Sequence, residues 1–410
     1  MSYQQKIIFR SIIVFILAIF FIQCERNNNN NGLPGKYLVD FQKIREVTSA
    51  EINTQLAFAA IYYPQLADLA LSNKYGVSIY KLSYRTTFLN DEIVASGLVC
   101  IPNSSAEFPV LSFQPGTNTC NANAPSVNSS DPLTSLVGVL AGNGYIITIP
   151  DYTGFGESSE ILHPYIHRNS SDQAVLDLLN AAIEFLDLDE TQTKHNGELY
   201  LMGYSQGGWA TLSALQTIEK LASFPLQPKA ASCGAGSYDL VQMTEDLLEK
   251  TTYAFPLYLA YFIYSRIEND ILTEPVSSYF NAPYSSSIPT LFNGNNCNSS
   301  INNALPDTLS KLLSPSVYSL NTPGNEFPGL YNELLTNSID PWNTSANLLL
   351  YHSKGDGSIS YNQSETMYDR FLESGIDTDK ISLELTDSLG HEDAVIPWGI
   401  ETFAWFERIE

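Results

Sequence analysis

The hydrophobic and polar positions along the chain predict strands and helices in alternation. Residues 77–87 and 93–101 alternate with period two on either side of Asn90 and Asp91, which predicts an antiparallel hairpin. Further strands are predicted by apolar runs, which lie at residues 109–113, 144–150, 199–202, 230–236, 347–352 and 381–385. Helical patterns separate most of these runs, as is typical of a mostly parallel sheet flanked by helices. The sequence therefore predicts an α/β fold.

Two long helices are predicted in the N-terminal half of the chain. Residues 38–72 have a helical pattern, with an amphipathic stretch at residues 50–71. Residues 171–186 predict a second amphipathic helix, for which Ser171 and Asp172 are suitable N-terminal caps. Both helices are expected to pack on the sheet.

The alternation of strands and helices stops at residues 241–345. This segment is rich in aromatic residues, asparagine and proline, and it contains apolar helical pieces such as residues 253–267. We predict a mainly helical cap inserted over the carboxyl edge of the sheet, with aromatic side chains suited to an apolar pocket. The same side chains are also suited to a small core of the insertion itself. The α/β core then comprises residues 36–240 and 346–410.

The N-terminus has the pattern of a targeting segment. A basic start precedes the apolar run at residues 11–23, which is too short for a comfortable membrane span, so residues 1–23 predict a signal peptide. Cys24 follows at once, and five asparagines make residues 24–35 a polar tether. This boundary resembles a bacterial lipoprotein signal, which implies lipid attachment at Cys24, export and anchoring to a membrane of the cell envelope. An ordinary cleaved signal or an uncleaved anchor is the alternative.

The charge of the chain and the spacing of its cysteines restrict what it can bind and which disulfide it can form. The 410 residues include 20 Lys+Arg and 44 Asp+Glu, a net charge of −24 that argues against nucleic acid as a partner. Four cysteines follow the targeting segment, and none has metal-site spacing. Cys120 and Cys297 lie in polar, loop-like sequence and are the better candidates for a disulfide. Cys100 and Cys233 lie near strand ends and are candidates for simple burial.

A GYSQG motif occupies residues 203–207, between an apolar strand and a helix rich in alanine and leucine. It has the G-x-S-x-G form of a nucleophile elbow, in which a serine occupies a strained turn at the tip of a strand. Gly203 and Gly207 leave room for the strand to fold back against the helix. The motif predicts Ser205 as a nucleophile and the backbone amide of Gln206 as an oxyanion donor.

An acid and a base follow later strands. Asp356 comes just after the strand at residues 347–352, and His391 follows the strand at residues 381–385. The chain order Ser205, Asp356, His391 is that of α/β-hydrolases rather than of the chymotrypsin or subtilisin types. The weaker rivals for these roles are Asp387 and Asp393 for the acid, and His195 and His352 for the base.

The loop after the strand at residues 109–113 is a candidate for the second oxyanion donor. Its sequence places Thr117 after Pro115 and Gly116, and the amide of Thr117 is the best candidate. An ordinary Pro-Gly turn is the alternative interpretation.

Three further polar residues lie between the candidate oxyanion loop and the elbow. Asp151 opens a glycine-rich turn after a strand, and we expect a structural hydrogen-bonding role for it. His163 and His167 have the i, i+4 spacing of a metal site, but Pro164 disfavours a helix there and no glutamate stands beside them. We expect them to line the mouth of the site or to pack locally, and we predict no metal.

The chain resembles α/β-hydrolases, and more narrowly the secreted lipase–esterase group of bacteria and fungi. The resemblance covers about residues 77–238 and 347–410 and rests on these motifs: Phe113-Gln114 with Cys120, Asp151-Tyr152 with Gly154 and Gly156, His163-Pro164-Tyr165 and Gly203-Tyr204-Ser205-Gln206-Gly207-Gly208. It implies hydrolysis of small-molecule or lipid esters, without metal or other cofactor. The usual His-Gly pair of the oxyanion loop is replaced by Pro115-Gly116.

Three other functions remain open at the level of sequence. A serine peptidase of prolyl or dipeptidyl type uses the same fold and triad. A polysaccharide-deacetylating esterase differs only in its substrate. A surface-binding lipoprotein that retains a hydrolase scaffold without catalysis is the third alternative.

Overall fold

The computed structural model describes residues 35–64, 66–67, 73–188, 191–320 and 325–409. The predicted signal peptide, nearly all of the tether and the lipid-attachment residue Cys24 lie outside the described residues. None of the helices within these ranges is long and apolar enough to cross a membrane.

The described residues form a nine-stranded sheet in the order β1-β2-β3-β5-β4-β6-β7-β8-β9. The strands are β1 (Leu38–Val47), β2 (Val77–Phe88), β3 (Asp91–Pro102), β4 (Glu107–Gln114), β5 (Ile146–Pro150), β6 (Lys194–Tyr204), β7 (Gln227–Gly234), β8 (Asn347–Ser353) and β9 (Ile381–Thr386). Strands β4 to β9 pair in parallel, while β1, β2 and β3 enter antiparallel. The predicted hairpin and mostly parallel sheet are confirmed.

Helices cover both faces of the sheet and fill the interval between β7 and β8. Within the described ranges they are α1 (Ser49–Ala59), α2 (Pro132–Val139), α3 (Arg168–Leu186), α4 (Gln206–Lys220), α5 (Leu240–Leu248), α6 (Pro256–Glu268), α7 (Val276–Tyr279), α8 (Tyr284–Leu291), α9 (Asn298–Ala304), α10 (Leu309–Leu312), α11 (Pro328–Asn337), α12 (Asn362–Glu373) and α13 (Val395–Ile409). Short 3-10 turns connect several of them.

A separate hydrophobic core lies on each face of the sheet. On one face Phe185 of α3 and Trp209 of α4 are fully buried, and the same cluster continues into Tyr261 of α6. On the other face Trp398 and Phe406 of α13 form the centre of a second cluster. Burial of large aromatic side chains contributes roughly 2–3 kcal/mol each to folding. The sheet is therefore held rigidly enough to present loops at fixed positions.

The predicted helix at residues 38–72 is wrong in its first part. Residues Leu38–Val47 form strand β1, which pairs antiparallel with β2 along its length. Most of the side chains of β1 are only half-buried, so its apolar and polar positions do not alternate cleanly and resemble a helical pattern. Thr48 and Glu51 form a capping box at the start of α1, which covers the first half of the predicted amphipathic stretch.

The predicted caps of the helix at residues 171–186 are also wrong. Helix α3 begins at Arg168, and the side chain of His167 caps it by accepting a hydrogen bond from the Ser170 amide. Asp172 is buried within the helix, where its carboxylate accepts a hydrogen bond from Thr217 of α4 at 2.5 Å. A histidine is an uncommon N-cap, which is why residue preference placed the start of the helix too late.

The segment at residues 241–345, hereafter the inserted segment, is tied to loops at the carboxyl ends of the strands. Tyr261 donates a hydrogen bond to the Asn118 carbonyl at 3.2 Å, and Asn298 donates to the Thr117 carbonyl at 2.7 Å, both in the loop after β4. Tyr253 donates to the Ser358 carbonyl, which follows β8. The described part of the inserted segment therefore contacts the loops that emerge from this edge of the sheet.

The disulfide predicted from the polar context of its cysteines is present. Cys120, in the loop after β4, is bonded to Cys297, which is the residue before α9 of the inserted segment. Cys100 and Cys233 are free and buried. The disulfide adds a covalent link between the core and the inserted segment, beside the hydrogen bonds that join them.

Candidate active site

The turn between β6 and α4 holds Ser205 in a strained conformation. Its backbone has φ 61° and ψ −123°, and its amide donates a hydrogen bond to the Gly234 carbonyl of β7 at 2.8 Å. A Cβ atom on Gly207 would lie 2.0 Å from the Gln114 carbonyl oxygen, so only glycine allows α4 to approach β4 this closely. The strain fixes the side chain at the tip of the strand, ahead of the N-terminus of α4.

The loops after β8 and β9 bring an acid and a base to Ser205. His391 Nε2 lies 2.8 Å from Ser205 Oγ, and His391 Nδ1 lies 2.5 Å from Asp356 Oδ2. The three side chains thus form one continuous chain of hydrogen bonds, although the serine and the acid are 151 positions apart in the sequence. This is the geometry in which a histidine can accept the serine proton while the acid holds the ring.

The surroundings of Asp356 keep its carboxylate ionised. The side chain has no exposed surface, and Oδ1 accepts hydrogen bonds from the amides of Ser358 and Ile359 at 2.8 and 2.9 Å. Burial by itself raises the pKa of Asp356, but hydrogen bonds from His352 and His391, the charge of His391 and the Ile359 amide outweigh it and hold that pKa well below its ordinary value. The acid therefore stays charged throughout the range in which histidine titrates.

The loop that carries His391 is anchored on both sides. Tyr204, the residue before the serine, donates a hydrogen bond to the His391 carbonyl at 2.9 Å, and the two rings lie 5.2 Å apart. Ser353 at the end of β8 donates to the Leu389 carbonyl and accepts from the Leu389 amide. The backbone of the loop that carries the imidazole is thus held by side chains of β6 and β8, two strands with β7 between them.

The weaker rivals Asp387, His195 and His352 do not contact Ser205 within this chain of hydrogen bonds. Asp387 is largely exposed and has Lys354 as its ionic neighbour at 3.8 Å. His195 lies at the start of β6, the end of the strand opposite to Ser205. His352 lies beside the site, but Asp356 is between it and the serine.

The loop predicted to supply the second oxyanion donor passes beside the serine. A Cβ atom on Gly116 would lie 3.5 Å from the Tyr204 carbonyl oxygen and 4.0 Å from Ser205 Cβ. The next residue, Thr117, has its hydroxyl 3.1 Å from that of Tyr165, and its carbonyl accepts from Asn298 of the inserted segment. Both the side chain and the carbonyl of Thr117 are therefore fixed by contacts outside its own loop.

His163 supports the residue that follows the nucleophile. It is buried, its Nδ1–H donates to the Thr153 carbonyl at 2.7 Å, and its Nε2 lies 2.8 Å from the side-chain amide nitrogen of Gln206. Burial lowers the pKa of His163 to about 4, so the neutral ring accepts a hydrogen bond from Gln206. The sequence flagged this histidine by its spacing from His167 but gave no sign of its partner.

Asp151 begins the glycine-rich turn after β5 and links it to neighbouring segments by hydrogen bonds. Its carboxylate is buried and accepts hydrogen bonds from the hydroxyls of Ser96 and Ser126, each at 2.5 Å, and from the Ser126 amide. Burial raises the pKa of Asp151 to about 6. Within the described residues, no group of three or more His, Cys, Asp or Glu side chains is arranged to hold a metal ion.

A stack of aromatic rings joins the inserted segment to the loop of Thr117. The rings of Tyr165 and Tyr261 lie parallel at 4.7 Å, and the ring of Tyr258 also stacks with Tyr165 at 6.4 Å. Arg266 of α6 is fully buried and donates to the carbonyls of Tyr165 and Ile166. The aromatic richness of residues 241–345 was visible in the sequence, whereas the pairing with Tyr165 required the fold.

Comparison with known proteins gives three findings. Residues 121–255 match the family described as secretory lipase. No curated protein matches the chain. Among solved structures, a putative hydrolase from Legionella pneumophila subsp. pneumophila is 25% identical with a TM-score of 0.81, covering 92% of this chain and 98% of that one.

Two further solved structures share the fold at lower identity. The rice cell wall degrading esterase LipA from Xanthomonas oryzae is 24% identical with a TM-score of 0.75, covering 90% of this chain and 95% of that one. Candida antarctica lipase A in its closed state is 15% identical with a TM-score of 0.60, covering 86% and 77%. The fold is that of the α/β-hydrolases, and the match to the secretory lipase family spans the part of the chain that contains Ser205. The family's description as secretory is in keeping with export.

Proposed function

We propose that this chain cleaves carboxylic esters through an acyl-enzyme on Ser205, with His391 as general base and Asp356 as the acid of the triad. The observation that carries the proposal is the chain of hydrogen bonds from Ser205 Oγ through both ring nitrogens of His391 to Asp356 Oδ2. A strained serine, a histidine and a buried carboxylate in this order are the parts that acyl transfer needs.

In the first step, His391 Nε2 takes the hydroxyl proton of Ser205 as Oγ forms a bond to the ester carbonyl carbon. Asp356 holds the ring with Nδ1 protonated and stabilises the imidazolium that results. The tetrahedral intermediate collapses when the carbon–oxygen bond to the alcohol breaks, and His391 returns the proton to the departing oxygen. Water then attacks the acyl-enzyme by the same route and releases the acid.

The amides of Gln206 and Thr117 are the proposed oxyanion donors. Gln206 is the first residue of α4, so its amide faces out of the helix N-terminus beside the serine. Gly116 passes close to Tyr204 and Ser205. This closeness supports a position for the Thr117 amide on the side of the developing oxyanion opposite to the Gln206 amide. A single donor of this kind lowers the barrier by roughly 3–4 kcal/mol.

Thr117→Pro removes the amide hydrogen and is expected to lower kcat by about 10²–10³-fold. The matched control is Thr117→Val, which keeps the amide and loses only the hydroxyl contact with Tyr165. Steady-state kinetics on p-nitrophenyl butyrate measure both, and thermal melting checks that each variant folds. Equal, small effects of the two substitutions would remove Thr117 from the oxyanion hole.

The substrate is proposed to be a small-molecule or lipid ester that enters beneath the inserted segment, which serves as a cap. The contacts of Tyr261 and Asn298 with the loop of Thr117 support this position. A panel of p-nitrophenyl acetate, butyrate, octanoate and palmitate tests the proposal beside a panel of peptide p-nitroanilides. We expect turnover of the esters, and the best chain length reports the depth of the pocket. Cleavage of the peptides alone would replace this proposal by a peptidase.

Cys24 is proposed to carry a lipid anchor, because it directly follows an apolar run of signal-peptide length. The full chain expressed in a bacterial host should partition into the detergent phase of Triton X-114, and Cys24→Ser should partition into the aqueous phase. Equal partitioning of both proteins would rule out the lipid at this residue.

A further inference from the structure

A second buried histidine contacts the acid of the proposed triad. His352 lies on strand β8 and has no exposed side-chain surface. It precedes Asp356 by four residues in the sequence. Its Nε2 lies 3.3 Å from Asp356 Oδ2, the same oxygen that receives His391 Nδ1 at 2.5 Å. Two imidazole rings therefore converge on one carboxylate oxygen.

The contacts of His352 define which of its nitrogens carries hydrogen. Nε2 faces two acceptors, the Ile359 carbonyl at 3.2 Å and Asp356 Oδ2 at 3.3 Å, so a hydrogen on Nε2 is required. Nδ1 lies 2.8 Å from Ser364 Oγ, a hydroxyl that can donate to a neutral ring. In both the neutral and the protonated form, the Nε2–H of His352 is hydrogen-bonded to the Ile359 carbonyl, and Asp356 Oδ2 is a second acceptor 3.3 Å from the same nitrogen.

We propose that His352 is a positioning residue for the triad: its Nε2–H holds Asp356 Oδ2 and draws off part of the negative charge that would otherwise stabilise protonated His391. This inference rests on the proposed function, because it concerns how readily His391 serves as the base. His352 does not touch the reacting atoms, since Asp356 and His391 stand between it and Ser205.

The direction of the effect follows from electrostatics. A second donor on Oδ2 weakens the attraction between Asp356 and a positive charge on His391. Loss of the donor should concentrate the negative charge on Oδ2, favour protonated His391, and move the acidic limb of kcat/KM to higher pH.

The phenols around the triad do not titrate in the range of histidine. The packed phenols are Tyr204, Tyr253 and Tyr258, and burial raises the pKa of each further above the ordinary value for tyrosine. Glu392 follows His391 in the chain, and its negative charge contributes to the raised pKa of Tyr258. Ser364, on α12, is the partner of His352 on its far side and is not ionisable.

The test compares pH profiles of kcat/KM on p-nitrophenyl butyrate. For His352→Phe we expect the midpoint of the acidic limb to rise by about 0.5–1 pH unit and kcat/KM on the plateau to fall by about 10-fold. His352→Gln, whose amide nitrogen reaches the place of Nε2, should restore the midpoint. His195→Gln, at the opposite end of β6, is the matched control and should follow the wild type. A structural role alone would lower the plateau without moving the midpoint.

An unmoved or more acidic midpoint in His352→Phe would overturn the proposal. Should His352→Phe not fold, His352→Asn replaces it, because the shorter amide cannot reach the place of Nε2. A separate readout uses the wild-type protein: ¹⁵N NMR should show a protonated Nε2 on His352, and an unprotonated Nε2 would overturn the proposal on its own. Activity that survives in Ser205→Ala would contradict the proposed function instead, so the two failures are distinguishable.

Discussion

Ser205→Ala is expected to lower kcat on p-nitrophenyl butyrate by about 10⁴-fold or more, leaving only the residual rate that binding and oxyanion donors provide. The substitution removes the atom that forms the acyl-enzyme. It leaves the strained turn in place, because alanine retains the Cβ and the backbone contact to Gly234. KM should change little, since the hydroxyl contributes to the transition state more than to binding.

The matched control for this loss is Ser213→Ala. Ser213 is a buried serine on the same helix, α4, about two turns beyond the nucleophile. Its variant should keep wild-type kcat, and both proteins should show the same far-ultraviolet circular dichroism. A Ser205→Ala protein that retains a tenth or so of the wild-type rate would exclude covalent catalysis at this serine.

Asp356→Asn is expected to lower kcat by about 10³–10⁴-fold while the protein stays folded. The amides of Ser358 and Ile359 point at Oδ1, so the oxygen of an asparagine would take that place and its NH₂ group would replace Oδ2. An NH₂ group facing His391 Nδ1 favours the tautomer with hydrogen on Nε2. That tautomer directs N–H at Ser205 Oγ and cannot accept the serine proton.

The control for the acid is Asp387→Asn, because Asp387 is the exposed rival in the loop after β9. We expect its kcat to equal that of the wild type. A large loss of kcat in Asp387→Asn together with a small loss in Asp356→Asn would indicate that Asp387, and not Asp356, is the acid of the triad. Kinetics at several pH values show whether His391 has lost its function as a base or only works in a different pH range. In Asp356→Asn we expect lost function, so the low kcat should persist at alkaline pH.

The order of the site along the chain could be predicted because each of its groups comes shortly after the start of a turn or loop that follows a strand. Ser205, Asp356 and His391 all follow apolar runs that the hydrophobic pattern reveals. Parallel strands share one carboxyl edge, so side chains after neighbouring strands meet without knowledge of the helices. Their catalytic roles remain a proposal that the observed hydrogen bonds support.

The two errors in the predicted helices have different causes. Strand β1 is an edge strand with mostly half-buried side chains, and pairing with β2 rather than residue preference makes it extended. The N-cap of α3 is His167, whose side chain is drawn into this role by its position before Ser170. The pairing of β1 with β2 lies outside any short window of sequence, whereas the cap of α3 is a local contact that was missed because histidine is an uncommon N-cap.

The residues that support the triad could not be predicted, because most of their contacts join parts of the chain that are far apart in the sequence. His163 reaches Gln206 across 43 positions of sequence, and Thr117 reaches Asn298 across 181. His352 is close to Asp356 in sequence, so a strand-end histidine four residues before an acid was the one available signal. It was visible, but only the fold places its ring on the same carboxylate oxygen as His391.

The most direct test of the central claim is covalent labelling of Ser205 by a fluorophosphonate, read by mass spectrometry of the intact protein and of its peptides. The account predicts one adduct per chain on the peptide that contains Ser205, loss of esterase activity in proportion to labelling, and no adduct in Ser205→Ala. A protein that hydrolyses esters but stays unlabelled, or is labelled at another residue, would contradict it.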